Sequence, residues 1–338
     1  MRRLQNSVEP LVTLRLEQDI FKINQALIFR ISQIKLNEME GIIALSAGDD
    51  TNKIPAGSWA TSFYEQAEQK KQDGVAGYKA KTFGGILGID IEVNDNLTAG
   101  VAWSKIETNM KYKDYKAGDK TQTNTTIFSL YGSQQLNSTL FVQAIASYAS
   151  TQVKNQEHRL GYSKINSAGA QIAQSNYNST TLAGKILFGY DANLTDKILL
   201  TPIIGIDYIQ SREEAHQESG TADQNKLVAS KNSRRTDAII GARILTTTNI
   251  NTTNILFDAH TFVSHKIGSK LGLMNARFDI SNAPVISRAA KNVKTLYNVG
   301  VGFSTVASFI EYGAYYDSYF FAKKYIAHQG SLKLRVNF

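Results

Sequence analysis

Asp258, His260 and Ser264 stand within "ILFDAHTFVSHKI", two and four residues apart. In an extended strand that spacing puts all three on one face. Carboxylate, imidazole and hydroxyl are the residue types of a nucleophilic triad, in which the carboxylate orients the ring and the ring activates the hydroxyl. The same face carries Lys266, while Ile255, Phe257, Ala259 and Val263 occupy the other. A strand with one wet and one apolar face accounts for the three residues without catalysis, so they read as a structural polar network. His158, His216, His260, His265 and His328 form no metal-ligand spacing. His216, in "REEAHQE", is expected in a solvated loop. Gly84, Gly85 and Gly88, in "FGGILG", match neither a dinucleotide nor a phosphate loop and read as strand glycines that leave space or relieve bending. With no cysteine in 338 residues, disulfides and thiolate metal sites are excluded. An enzyme is not expected, nor any cofactor or metal.

The elements that position these residues show two periods. Residues 15–40, "RLEQDIFKINQALIFRISQIKLNEME", repeat Ile20, Ile23, Leu27, Ile31 and Ile34 at spacings of three and four, which predicts a helix with one apolar face. "GIIALSAGDDTNKIPAGS" follows as a turn-rich linker. From there the period is two. Strands are predicted over 57–65, 78–93, 97–110, 123–135, 139–153, 180–194, 198–211, 236–248, 255–267, 295–306 and 309–322, with a twelfth at the C-terminus. Short Asn- and Asp-rich turns alternate with long polar connections at 66–77, 111–122, 154–179, 212–235 and 268–294.

In 198–211, Leu200, Pro202, Ile204, Ile206 and Tyr208 oppose Thr201, Ile203, Gly205 and Asp207. In 236–248, Ala238, Ile240, Ala242 and Ile244 oppose Asp237, Gly241 and Arg243. The faces of 123–135 and 139–153 stay unassigned. Segments of 12–16 residues exceed the ~5–6 of an ordinary soluble strand and fit a tilted membrane-spanning strand with extensions. The fold class is all-β: a twelve-stranded antiparallel transmembrane β-barrel preceded by an N-terminal α-helix, which the resemblance described below places in or near the pore. Mean hydropathy is −0.25, which such a barrel tolerates because its lipid face is hidden in alternation. Trp59, Tyr78, Trp103, Tyr190, Tyr208, Tyr297 and Tyr312 are expected in interfacial girdles. Asp90, Asp207, Asp258, Arg243, Glu311, Lys333 and Arg335 are expected as lumen charges. The net charge is +8 but scattered, with no dense basic block for nucleic acid.

Two stretches carry a family resemblance. "SAGDDTNKIPAGSWATSFY" into "GYKAKTFGGILGIDIEVNDNLTAGVAWS", and "EYGAYYDSYFFAKKYIAHQGSLKLRVNF", resemble the first strands and closing hairpin of an autotransporter translocator β-domain of type V secretion, nearest to the rickettsial surface antigens. The resemblance implies a bacterial outer-membrane barrel that anchors and exports an N-terminal passenger, with a helix threading its pore. It divides the chain into a pore-threading segment with the remnant of a passenger junction, 1–56, and the barrel, 57–338. It implies outer-membrane lipid, the barrel assembly machinery and the chain's own passenger as partners, and a monomer. The alternating end "GSLKLRVNF" then reads as an assembly signal of Leu332, Leu334, Val336 and Phe338. Some family members cut themselves at paired asparagines on the pore helix; here Asn37 stands without its pair, and that activity is not carried over to this chain. "MRRLQNSVEPLVTL" shows no secretory signal, so a passenger-less fragment is expected. The alternatives are a surface adhesin or antigen barrel with no export, and a diffusion porin.

Overall fold

A chain whose apolar residues alternate has to bury one face of each strand and leave the other to a different solvent. A closed sheet does so without leaving an edge. The computed structural model describes residues 15–27, 56–72, 74–159, 171–250, 253–270, 275–280, 283–285, 294–307, 310–322 and 324–337. Among them, twelve long strands close into one antiparallel barrel. They are β1 (Ala56–Gln69), β2 (Tyr78–Asn94), β3 (Leu97–Tyr112), β4 (Lys120–Gln135), β5 (Leu140–Arg159) and β6 (Gln171–Tyr190). They continue as β7 (Ile198–Glu213), β8 (Lys231–Ile250), β9 (Thr253–Lys270), β10 (Thr295–Ala307), β11 (Ile310–Phe321) and β12 (Tyr325–Asn337). Every strand pairs with its sequence neighbour, and β12 closes on β1 from Gly57 opposite Asn337 to Gln69 opposite Tyr325. All twelve expected strands are present. Most are longer than expected at the long-loop end: β5, β6 and β8 have 20 residues each, whereas β10, β11 and β12 have 13, 12 and 13.

The outer wall is apolar and the inner wall mixed. On β2, Phe83, Leu87, Ile89 and Ile91 are exposed. Eight residue steps from Phe83 to Ile91, at ~3.3 Å each and tilted by about 45°, make a band roughly 19 Å tall, close to the ~25 Å apolar belt of outer-membrane barrels. The faces of β4 and β5 are now settled. Thr125, Ser129, Ser147 and Thr151 face the lumen, where Thr125 meets Thr151 at 2.9 Å and Ser129 meets Ser147 at 2.8 Å. Phe128, Leu130 and Tyr148 face out. Two expected girdle aromatics are corrected. Trp59 and Tyr78 are buried and point inward, since each shares its strand's phase with lumen residues, Glu65 and Thr82 respectively. Trp103, Tyr190, Tyr208, Tyr297 and Tyr312 are exposed.

Glycines give these inward rings their room. A Cβ on Gly84 would collide with the ring of Phe63 on β1, and one on Gly88 with Trp59. Gly85, one residue on, faces outward with ordinary space. The long connections 212–235 and 268–294 are not loops throughout. Within them His216–Gln217, Lys226–Val228, Ala276–Phe278 and Pro284–Val285 form a second, four-stranded sheet. Strands of two or three residues have too short a pattern to be read from sequence.

Residues 15–27 are helical and lie inside the barrel. The expected helix over 15–40 is present in this part; Ile31, Ile34 and Asn37 lie outside the described residues, as does Phe338.

Candidate lumen plug

The helix is enclosed on every side rather than on one face. Leu16, Ile20, Phe21, Ile23 and Leu27 are buried, and so are Arg15, Glu17, Asp19, Lys22, Asn24 and Gln25. Its apolar side chains pack on an inward belt that includes Ile86, Ile106, Ile127, Ile145, Leu187, Ile203 and Ile239. Apolar residues therefore interrupt the polar lumen phase of seven strands, β2 to β8, and fit the helix to the wall. Ile203, among Thr201, Gly205 and Asp207, was the visible sign of this belt in the sequence.

The polar side chains of the helix meet the wall through buried ion pairs. Arg15 lies 2.6 Å from Asp19 one turn on, 2.5 Å from Glu65 of β1, and donates to Thr82 of β2 at 2.7 Å. Lys22 pairs with the second oxygen of Glu65 and sits 4.8 Å from the ring centre of Tyr319. Thr108 donates to Asp19 at 3.1 Å, Ser147 to Asn24 at 2.7 Å, and Ser233 to Glu17 at 3.2 Å. Lys185 donates to Gln25 at 3.3 Å and stands 4.0 Å from the Phe21 ring. A buried charge is tolerated only when paired and hydrogen-bonded. Glu65, shared between two helix cations, is the wall group on which the arrangement turns.

These contacts also orient the helix. Arg15 and Glu17 meet residues near the long-loop ends of β1, β2 and β8, while Asn24 and Gln25 meet β5 and β6 lower down, toward the short turns. The N-terminus of the helix points to the long-loop mouth.

The structure places the sequence-derived lumen charges as follows. Asp90 accepts from Arg335 at 3.3 Å across the β1–β12 closure, and Glu311 accepts from Lys333 at 3.1 Å. Arg243 of β8 donates through Nε to Asp258 of β9 at 2.9 Å. Asp207 lies 3.9 Å from Lys185. Leu332 and Leu334 are exposed on the outer wall and Val336 is half-buried. Arg15, Asp19, Lys22, Glu65 and Lys185 were missed because nothing in the sequence sets the helix against particular strands. Asp258, His260 and Ser264 share the lumen face without assembling as a triad. His260 bridges Asp258 at 3.3 Å and Asp317 of β11 at 3.0 Å, while Ser264 donates instead to Asp237 of β8 at 3.0 Å. His216, expected in a solvated loop, pairs in the small sheet opposite Val228 and stacks on Tyr177 at 4.0 Å.

On the loop side, outside the membrane-spanning part, lies a second buried network. Glu157 accepts from Lys116 at 3.1 Å and Lys226 at 3.3 Å and also pairs with Arg159; Glu218 accepts from Arg159 at 2.8 Å. Burial pushes the Glu157 carboxyl up, but Lys116, Lys226 and Arg159 outweigh it and hold the group well below the usual carboxylate range.

No helix among the described residues is long and apolar enough to cross a membrane, and the crossing is made by strands. A lipid-faced, twelve-stranded cylinder with a helix locked in its lumen defines a translocator-type barrel of the bacterial outer membrane. The Autotransporter beta-domain family model matches residues 58–315, and the chain belongs to that family. Outer membrane protein B of Rickettsia prowazekii (strain Madrid E) is 42% identical over 298 residues, covering 87% of this chain and 18% of the relative. Outer membrane protein A of Rickettsia conorii (strain ATCC VR-613 / Malish 7) is 34% identical, covering 87% and 14%. The chain thus spans less than a fifth of the length of these relatives. In shape it is similar to the translocator domain of autotransporter NalP from Neisseria meningitidis (TM-score 0.66, 16% identity, 91% of this chain and 98% of that one). It is also similar to the beta domain of the Bordetella autotransporter BrkA (TM-score 0.60, 13% identity, 84% and 100%). At those identities the likeness speaks to fold alone.

Proposed function

We propose that this barrel anchors an N-terminal passenger in the outer membrane and exports it through the lumen that residues 15–27 now fill. The observation that carries the reading is the direction of the helix: its N-terminus is aimed at the long-loop mouth, so chain attached ahead of it is led outward. A helix about 10–12 Å across is the size of object a lumen between the packed eight-stranded and open sixteen-stranded barrels can pass. On this reading 1–56 is the pore-threading segment and junction, and 57–338 the barrel. Leu332, Leu334 and Val336 present the assembly machinery with an apolar strand face to pair by strand addition, and Phe338 completes the signal in sequence. Passenger folding outside supplies the driving force, and the barrel itself performs no catalysis.

The test is an export assay. A secretory signal and an epitope tag are placed ahead of Met1 and the protein is produced in a Gram-negative host. The epitope is expected at the cell surface, removable by protease added to whole cells. An inserted barrel whose epitope stays protected in the periplasm would refute export and leave the surface-antigen reading standing.

A further inference from the structure

We propose that the outer wall of β2–β5, above the lipid band, is a binding surface for the phosphorylated glycolipid of the outer leaflet. The lysines concerned are dispersed in sequence but not in space. Strand pairing sets Lys79 of β2 opposite Lys111 of β3, and Lys111 opposite Lys120 of β4. The adjacent row runs Lys81, Asn109, Gln122, Lys154 across these three strands and on to β5. All of these lysines are exposed on the outward face, as is Lys105 on β3. They stand directly over the band: Lys81 is the next outward residue after Phe83, and Lys105 the next after Trp103. Phe128 and Tyr148 continue that border on β4 and β5.

Like charges facing one another across paired strands destabilise a sheet, and little in the protein relieves these. Glu68 lies 2.5 Å from Lys113 and 3.9 Å from Lys79. Glu107 accepts from Asn109 and Gln122, each at 3.0 Å. Among the described residues, no carboxylate pairs with Lys81, Lys111, Lys120 or Lys154. A row of opposed, exposed ammonium groups on top of an apolar, aromatic-edged wall is complementary to an amphiphile with several anionic groups above acyl chains. The phosphates and acidic sugars of the outer-leaflet glycolipid are of that kind. Each would accept charge-assisted hydrogen bonds from more than one lysine, while Phe83, Trp103 and Phe128 receive the chains.

The test uses the full refolded chain in a zwitterionic detergent and titrates diphosphoryl lipid A, with bound lipid counted by native mass spectrometry. The comparison variant is Lys79→Gln/Lys81→Gln/Lys111→Gln/Lys120→Gln. Each lysine is expected to contribute about fivefold and the four together a loss of several hundredfold in affinity. Added salt weakens the binding that remains. In detergent without lipid A the quadruple variant is expected to melt no lower than the parent, because it removes opposed like charges. Should it fail to refold, Lys111→Gln alone, at the centre of the row, is expected to weaken binding about fivefold. Parallel titrations use lipid A stripped of its phosphates, phosphatidylglycerol and inorganic phosphate. The proposal is overturned if the lysine variants bind lipid A as the parent does. It is equally overturned if either comparison lipid or inorganic phosphate binds as tightly, or if Lys197→Gln, at the short-turn end, weakens binding as much.

Discussion

Glu65→Gln tests what holds the plug. The glutamine keeps the size and one acceptor oxygen of Glu65 but removes the charge shared by Arg15 and Lys22. At 2.5 Å and an effective dielectric near 20, the Arg15–Glu65 pair alone is worth roughly 6–7 kcal/mol before desolvation is charged against it. Removing one partner of a buried pair costs about 3–5 kcal/mol in practice. The amide still accepts one hydrogen bond, so the expected cost lies at the lower end, about 3 kcal/mol, or roughly two decades in the ratio of helix-in to helix-out states. Asp19, 2.6 Å from Arg15, remains to neutralise one of the two cations. The second change Lys22→Met therefore restores charge balance and is expected to recover about half of the loss. The assay is single-channel conductance in planar bilayers with a parallel melting curve. The parent is expected to stay mostly closed, Glu65→Gln to open frequently and melt lower, and the double variant to fall between. If Glu65→Gln conducts and melts like the parent, the helix is held by its apolar belt and the ion pairs are incidental.

Three further outcomes are expected. Gly84→Ala places a methyl against the Phe63 ring and should cost about 1–3 kcal/mol. The measurement is denaturant titration in liposomes, with Phe63→Ala/Gly84→Ala costing less than the sum of its single changes. Ile204→Arg, on the exposed outer face of β7, should cost about 2–4 kcal/mol in the same titration if that face meets mid-bilayer lipid. The loop-side network should loosen in acid. Because the folded Glu157 carboxyl lies below its unfolded value near 4.3, its contribution is full above that value and disappears as pH falls through the folded one. Cleavage between His216 and Val228 by an acid-active protease should rise as pH falls below the unfolded value, and a neutral-pH protease should cut Glu157→Gln in that stretch faster than it cuts the parent.

The wall was legible because strand faces are a local property. In β7, β8 and β9 the alternation alone put Ile204, Ile240 and Phe257 outside and Asp207, Arg243 and Asp258 inside, as the structure has them. Contacts between distant segments were not legible. Nothing in "RLEQDIF" names Glu65 or Thr82 as the partners of Arg15, and five apolar residues at helical spacing do not show a helix enclosed on all sides. Trp59 and Tyr78 were placed on the wrong face because an aromatic near a strand end suits a girdle and a lumen equally; only the phase with Glu65 and Thr82 decides. The basic comb shows the same limit from the other side. Lys79, Lys111 and Lys120 make no cluster in the linear chain and become one only when strand pairing sets them abreast.

The uneven strand lengths leave the mouth sloped. At ~3.3 Å per residue, β5, β6 and β8 run some 20 Å further along their own direction than β10, β11 and β12. A polypeptide leaving the lumen meets a parapet on one flank and a sill on the other. On the export reading proposed above, a passenger tethered ahead of Arg15 would meet less wall on the β10–β12 flank than on the β5–β8 flank, and the lower side would be its shorter way clear of the barrel.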